Sequence, residues 1–147
     1  MDADLEKLEA FIKEQGDTKQ LPSPDADLFE VLEMDGDDCS AFLEAYSRRF
    51  NVDMSGFLWY FHHGEEGYNL GAFFVKPPYW RVKRIPITIN LLLDSMGAGR
   101  WTLEYPPHTL PKRRWDTALS PILFVALLIL FAVLADFVDR LRHGKGF

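Results

Sequence analysis

Apolar residues in the first half of the chain recur three and four apart, the spacing of helices with one buried face. Leu5, Leu8, Phe11 and Ile12 share such a face and predict a helix over residues 3–15, with Gly16 placed to end it. Residues 21–27 contain two prolines and read as a loop. A short apolar segment follows, carried by Leu28, Phe29, Val31 and Leu32. The acidic knot at residues 35–38 then leads into the strongest pattern in the chain. There Cys39, Phe42, Leu43, Tyr46 and Phe50 fall at helical intervals. Asp37 or Asp38 is expected to cap this helix, and Arg48 and Arg49 suit the negative end of its macrodipole. Residues 51–53 end it.

Downstream the pattern is weaker. Residues 57–61 predict a shorter helix or aromatic segment. Residues 64–84 are irregular, punctuated by Gly64, Gly67, Gly71, Pro77 and Pro78, with a short strand expected over residues 72–75. Residues 87–96 predict a last helix, capped by Thr88 and closed by Gly97 or Gly99. Residues 101–105 are expected to be extended, and Pro106, Pro107 and Pro111 stiffen a linker. The expected core is Leu8, Phe11, Leu28, Phe42, Tyr46, Phe50 and Phe61.

Residues 117–135 break with this amphipathic design, running through nineteen positions without a charge. As a helix they rise about 28 Å, close to the hydrocarbon thickness of a bilayer. The run is apolar on every side, where a soluble surface helix would carry a polar stripe. Ser120 is expected to cap it and Pro121 to occupy its first turn. Lys112, Arg113, Arg114 and Trp115 precede it as membrane-interface anchors, and Arg140, Arg142 and Lys145 follow. Asp136 and Asp139 lie at the far edge, within reach of Arg140 or Arg142. Both flanks are basic, so charge gives little bias in orientation. The acidic N-terminus does not read as a targeting segment, which leaves the large domain expected in the cytoplasm on a single-pass anchor in the inner membrane.

The net charge of −6 hides a split. Residues 1–45 hold fourteen acidic and three basic side chains, whereas residues 46–147 hold eight acidic and thirteen basic. An acidic first part repels phosphates, which argues against nucleic acid as a partner. Cys39 is the one cysteine, so no internal disulfide forms and no C-x-x-C metal or redox motif exists. The basic and aromatic residues Lys76, Tyr79, Trp80, Arg81, Lys83 and Arg84 can meet either lipid headgroups or the acidic part of the same chain.

Residues 25–53 resemble acyl carrier proteins. In those, a short apolar segment leads to an Asp-Ser-Leu motif that starts an acidic helix. Aligned back from Phe50, Asp35 matches the motif's Asp, Gly36 falls on the serine that carries phosphopantetheine, and Asp37 replaces the leucine. Glycine has no hydroxyl, so no prosthetic group is implied; the nearest hydroxyl, Ser40, falls inside the helix. Gly36-Asp-Asp-Cys-Ser-Ala-Phe-Leu43, Phe50-Asn-Val-Asp53, Tyr60-Phe61 and Ala98-Gly-Arg-Trp101 are similar to a bacterial family, domain of unknown function 1493. That resemblance covers about residues 1–105 and implies no substrate or cofactor.

Candidate chemistry is sparse. His62, His63 and Glu66 are the one dense cluster of potential ligands. Adjacent histidines point apart, however, and no third ligand is evident, so a polar turn is the expected role. Acidic neighbours raise the pKa of Cys39, the wrong direction for a nucleophile. Asp35, Asp37 and Asp38 begin like a calcium loop but lack the closing glutamate, which leaves capping as the better account. No Walker loop, dinucleotide fingerprint or hydrolase elbow occurs.

These features predict a mainly α protein, with a small α+β arrangement as the alternative. An acyl-carrier-like domain over residues 1–105 is followed by a basic linker (106–116), a transmembrane helix (117–139) and a short basic tail (140–147). The expected function is non-catalytic. A membrane-anchored module would present Asp35, Asp37, Asp38 and Glu44 to a protein partner, with no cofactor and no small-molecule substrate. The rivals are a metal-dependent or acid–base enzyme using His62, His63 and Glu66, and a membrane-bound immunity or regulatory protein.

Overall fold

The computed structural model describes residues 2–144. Five α-helices occur among them, α1 (Asp2–Gln15), α2 (Leu28–Val31), α3 (Gly36–Phe50), α4 (Ile89–Ala98) and α5 (Trp115–Arg142). Three short 3-10 turns lie between α3 and α4. The chain divides into two compact units, Met1–Glu66 with Val82–Thr109 and Gly67–Arg81 with Leu110–Phe147. The protein is thus mainly helical, with a long apolar helix near its C-terminus.

In the first unit the amphipathic faces meet as their spacing predicts. Leu8, Phe11 and Ile12 of α1 are buried with Leu28, Phe29, Cys39, Phe42, Leu43 and Tyr46. Rings dominate the contact: Phe11 lies 5.1 Å from Phe42 and 5.3 Å from Phe50, and Phe29 meets Phe42 edge-on at 5.6 Å. Such tilted and edge-to-face pairs suit the ring quadrupoles and add to the area they bury. The Tyr46 hydroxyl donates to the Leu92 carbonyl at 2.6 Å, tying α3 to α4 and satisfying a buried polar group.

The ends of these helices follow from their residues. Asp27 caps α2 by accepting from the Phe29 N–H, and Thr88 caps α4 by accepting from the Leu91 N–H. Gly99, at φ 66°, closes α4 in a left-handed turn that glycine adopts without strain. Asn51 does the same for α3 at φ 54°, one of the few other residue types that tolerate it. Beyond it, Asp53 forms an isolated bridge with Arg100.

Some expectations are corrected. Residues 72–75 are not a strand, because Asn69 caps a 3-10 turn over Leu70–Phe73 by accepting from the Ala72 N–H. Asp37 and Asp38 do not cap α3. They lie in its first turn, and Asp35 occupies the cap position with its side chain turned elsewhere. Phe50 packs on the core without being fully buried.

In the second unit α5 runs for 28 residues and starts before the uncharged stretch, at Trp115. Ser120 and Pro121 are therefore inside the helix and not at its start. Pro121 has no N–H, so the Thr117 carbonyl lacks its usual helical donor. Arg140 and Arg142 are in the last turn. Arg140 pairs with Asp136 at 2.9 Å, and His143 reaches Asp139 at 3.0 Å. Lys145, the remaining anchor expected on that side, lies outside the described residues. The most apolar stretch of α5 has none of its residues buried within the protein, and the helix is long and apolar enough to cross a membrane.

Candidate functional site

Two regions carry the residues singled out by sequence. The first is the acidic start of α3. Gly36, at φ 47°, makes the left-handed turn that begins the helix. A Cβ there would fall onto Cγ of Glu66. The glycine therefore has a structural reason of its own: its left-handed φ favours glycine, and a side chain there, a serine included, would have to displace the Glu66 side chain.

Two bonds fasten this turn to the chain after the aromatic segment. Glu66 accepts from the Asp37 N–H at 3.3 Å, and Asp35 accepts from the Gly64 N–H at 3.1 Å. Asp35 is thus partly used in holding the fold. Asp37 and Asp38 remain exposed in the first turn, where their charge favours the positive end of the helix dipole. Glu44 lies two turns on, exposed, and pairs with Arg48 at 3.3 Å across one turn.

His62 and His63 are not a polar turn; both are buried. The His62 ring stacks on Phe57 at 5.0 Å and meets Trp101 edge-on. Its Nδ1 is 2.8 Å from the Ile85 carbonyl, which can only accept, so Nδ1 carries the proton. Nε2 is then an acceptor, and the Tyr105 hydroxyl at 2.7 Å donates to it. The two lone pairs of that hydroxyl accept the Leu58 N–H and the Trp101 indole N–H. The polar side-chain atoms of His62, Tyr105 and Trp101 are all matched, and burial pushes the His62 pKa down to about 4.

His63 Nδ1 donates to the Gly64 carbonyl at 2.7 Å. Among the described residues no three His, Cys, Asp or Glu side chains converge in a way that would hold a metal ion. The structure accordingly does not gather His62, His63 and Glu66 into one site: His62 faces Tyr105, and Glu66 covers Gly36. Cys39 is buried, and its thiol is pushed up to about 12 by burial and by nearby Asp35.

Arg84 settles one of the alternatives left open by sequence. Its guanidinium pairs with Asp27 at 3.0 Å and donates to the His62 carbonyl at 2.8 Å, so it serves the acidic part of the chain. Arg81 in the second unit instead donates to the Lys76 carbonyl at 2.8 Å.

The second region is the start of α5. Asp116 is 2% exposed and is gripped by Arg114 at 2.6 Å. Asn69 donates to Asp116 at 3.0 Å. Ser120 lies 2.8 Å from Asn69 Oδ1 and 3.0 Å from the Asp116 carbonyl, and it accepts the Gly71 N–H at 3.0 Å. Gly71 lies so close to the helix that a Cβ would collide with the Asp116 carbonyl oxygen. Of the four expected interface anchors, Arg113 stacks over the Trp115 ring at 5.0 Å, and Arg114 is drawn into this network. Lys112 is exposed. The roles of Asn69, Gly71, Asp116 and Ser120 were missed in the sequence. An aspartate and a serine at one edge of an apolar run, with an Asn-Leu-Gly upstream, were the signal available.

The fold is a small helical domain continued by an apolar helix of membrane length. The chain belongs to the DUF1493 family, described as proteins of unknown function, whose model matches residues 4–104. The match ends before the linker and α5. No curated protein and no solved structure matches the chain.

Proposed function

We propose that this chain is a single-pass protein of the cytoplasmic membrane whose family domain, on the cytoplasmic side, is a non-catalytic interaction module. Its working surface is the acidic start of α3, with Asp35, Asp37, Asp38 and Glu44, and its partner is a protein with a basic face. The observation that carries this reading is the exposure of Asp37 and Asp38 on a helix whose opposite side is locked into the aromatic core. A rigid element presenting charge needs no rearrangement on binding and loses little entropy. An acyl-carrier-like role reduced to recognition of the acidic helix fits Gly36, which offers no hydroxyl for a prosthetic group.

The orientation draws on the positive-inside rule. Lys76 and Arg81 belong to the segment held on the N-terminal end of α5, and they add to Lys112, Arg113 and Arg114 on that side. Arg140 and Arg142 lie in the last turn at the other end, and Lys145 follows in the sequence. The excess favours a cytoplasmic N-terminal side.

A photo-crosslinker at Asp38 or Glu44 tests the proposal in native membranes. A discrete protein adduct is expected at low salt, fading as salt rises because charge steers the encounter. Absence of any adduct from both positions, with the protein at its natural level, contradicts it.

A further inference from the structure

The segment Gly67–Arg81 is arranged inside out for an aqueous loop. Tyr68, Phe73, Phe74 and Trp80 are exposed at 100%, 87%, 73% and 57%. One carboxylate of the same unit is turned inward: Asp116 is buried and bonded to Arg114 and Asn69. Water would favour the reverse arrangement, with rings covered and the carboxylate free.

The level at which these rings stand is set by the helix. The backbone of the segment meets α5 at Gly71, against Asp116 and Ser120. Those positions border the N-terminal end of the uncharged run, so the contact marks the edge of the lipid-length stretch. Lys76 and Arg81 on the segment, and Lys112 and Arg113 just before the helix, bring cations to the same end. Aromatic rings with cations at the border of an apolar helix suit the headgroup layer of an anionic bilayer. There the rings reach the acyl boundary and the cations meet phosphate.

We propose that Gly67–Arg81 is a second membrane-binding element, an interfacial clasp pinned to the start of α5 by the Asn69–Asp116–Ser120 network. It sinks Tyr68, Phe73, Phe74 and Trp80 into the headgroup region of an anionic bilayer. This inference rests on the reading of α5 as a membrane-spanning helix. The clasp gives the anchor a fixed depth, because the rings resist movement toward water and the cations resist movement toward hydrocarbon.

The test uses the full chain in vesicles of phosphatidylglycerol and phosphatidylcholine, with an environment-sensitive dye on a cysteine introduced at Tyr68→Cys or Phe74→Cys. Cys39 is buried and stays unlabelled. Lipids brominated near the glycerol end should remove about half or more of the dye emission at both positions, as expected for interfacial groups. A dye at Leu128→Cys should be quenched by bromines deep in the acyl chains, and one at Glu44→Cys by neither. Asp116→Ala should weaken quenching at Tyr68→Cys while leaving Leu128→Cys unchanged. If Leu128→Cys is quenched and both segment positions are not, the clasp is overturned and the anchor stands. If Leu128→Cys is unquenched as well, the anchor falls and the clasp with it.

Discussion

The two units sort their side chains by opposite rules. In the first, Phe29, Phe42 and Tyr46 are wholly inside while Asp37, Asp38 and Glu44 stand in solvent. In the second, Phe73, Phe74 and Phe131 are exposed and Asp116 is buried. One chain cannot satisfy the hydrophobic effect in both places with water as the only solvent. The difference points to two surroundings, water for the family domain and lipid for the long helix with its 67–81 segment.

The comparison can be broken at several points. The largest effect is expected from Phe42→Ala, which empties the centre of the aromatic cluster and should cost about 3–5 kcal/mol in urea unfolding of the detergent-solubilised chain. Phe131→Ala, equally apolar but exposed, should change the same transition by less than about 0.5 kcal/mol. Equal losses from the two would erase the distinction.

Next comes acidity. His62 takes up its proton near pH 4 in the fold and near 6.5 when unfolded. Between those values the unfolded chain binds more protons. The contribution is therefore complete above pH 6.5 and is lost as pH falls toward 4, up to roughly 3 kcal/mol. Unfolding midpoints across this window should show the slope, and His62→Gln should remove it.

Asp116→Asn removes the charge that Arg114 holds at 2.6 Å and should loosen the segment by about 1–3 kcal/mol. Amide exchange at Gly71 and Ala72 should quicken while exchange within α3 stays as it was. Tyr46→Phe removes the hydroxyl's bond to the Leu92 carbonyl, which keeps its helical donor, and should cost about 0.5–1.5 kcal/mol. Smallest of all, Asp37→Asn with Asp38→Asn should cost no more than about 1 kcal/mol, the helix-dipole contribution alone, since neither carboxylate caps the helix.

Much of the first unit was legible in the sequence because its helices are short, amphipathic and closed by recognisable caps. The face of Leu8, Phe11 and Ile12, the run from Cys39 to Tyr46, and the Thr88 and Gly99 signals all carry their information within a few residues. Distant partners were not legible. His62 and His63 resemble a polar turn because Ile85 and Tyr105, which satisfy His62, lie 23 and 43 positions away. Asp35 looked like part of a capping group until Gly64 supplied its donor. The start of α5 was misplaced for a related reason. Ser120-Pro121 is a good helix opening taken locally, but the Asn69 and Gly71 contacts engage Ser120 from outside and the helix runs on past it toward Trp115. Gly36 was compared with a serine, although its glycine is set by a positive φ and by Glu66, thirty residues on.

Whether α5 resides in lipid is decided by alkaline carbonate extraction of membranes carrying the full chain. The protein should stay in the membrane pellet and leave it only with detergent. Release into the carbonate supernatant as a dissolved monomer would contradict it.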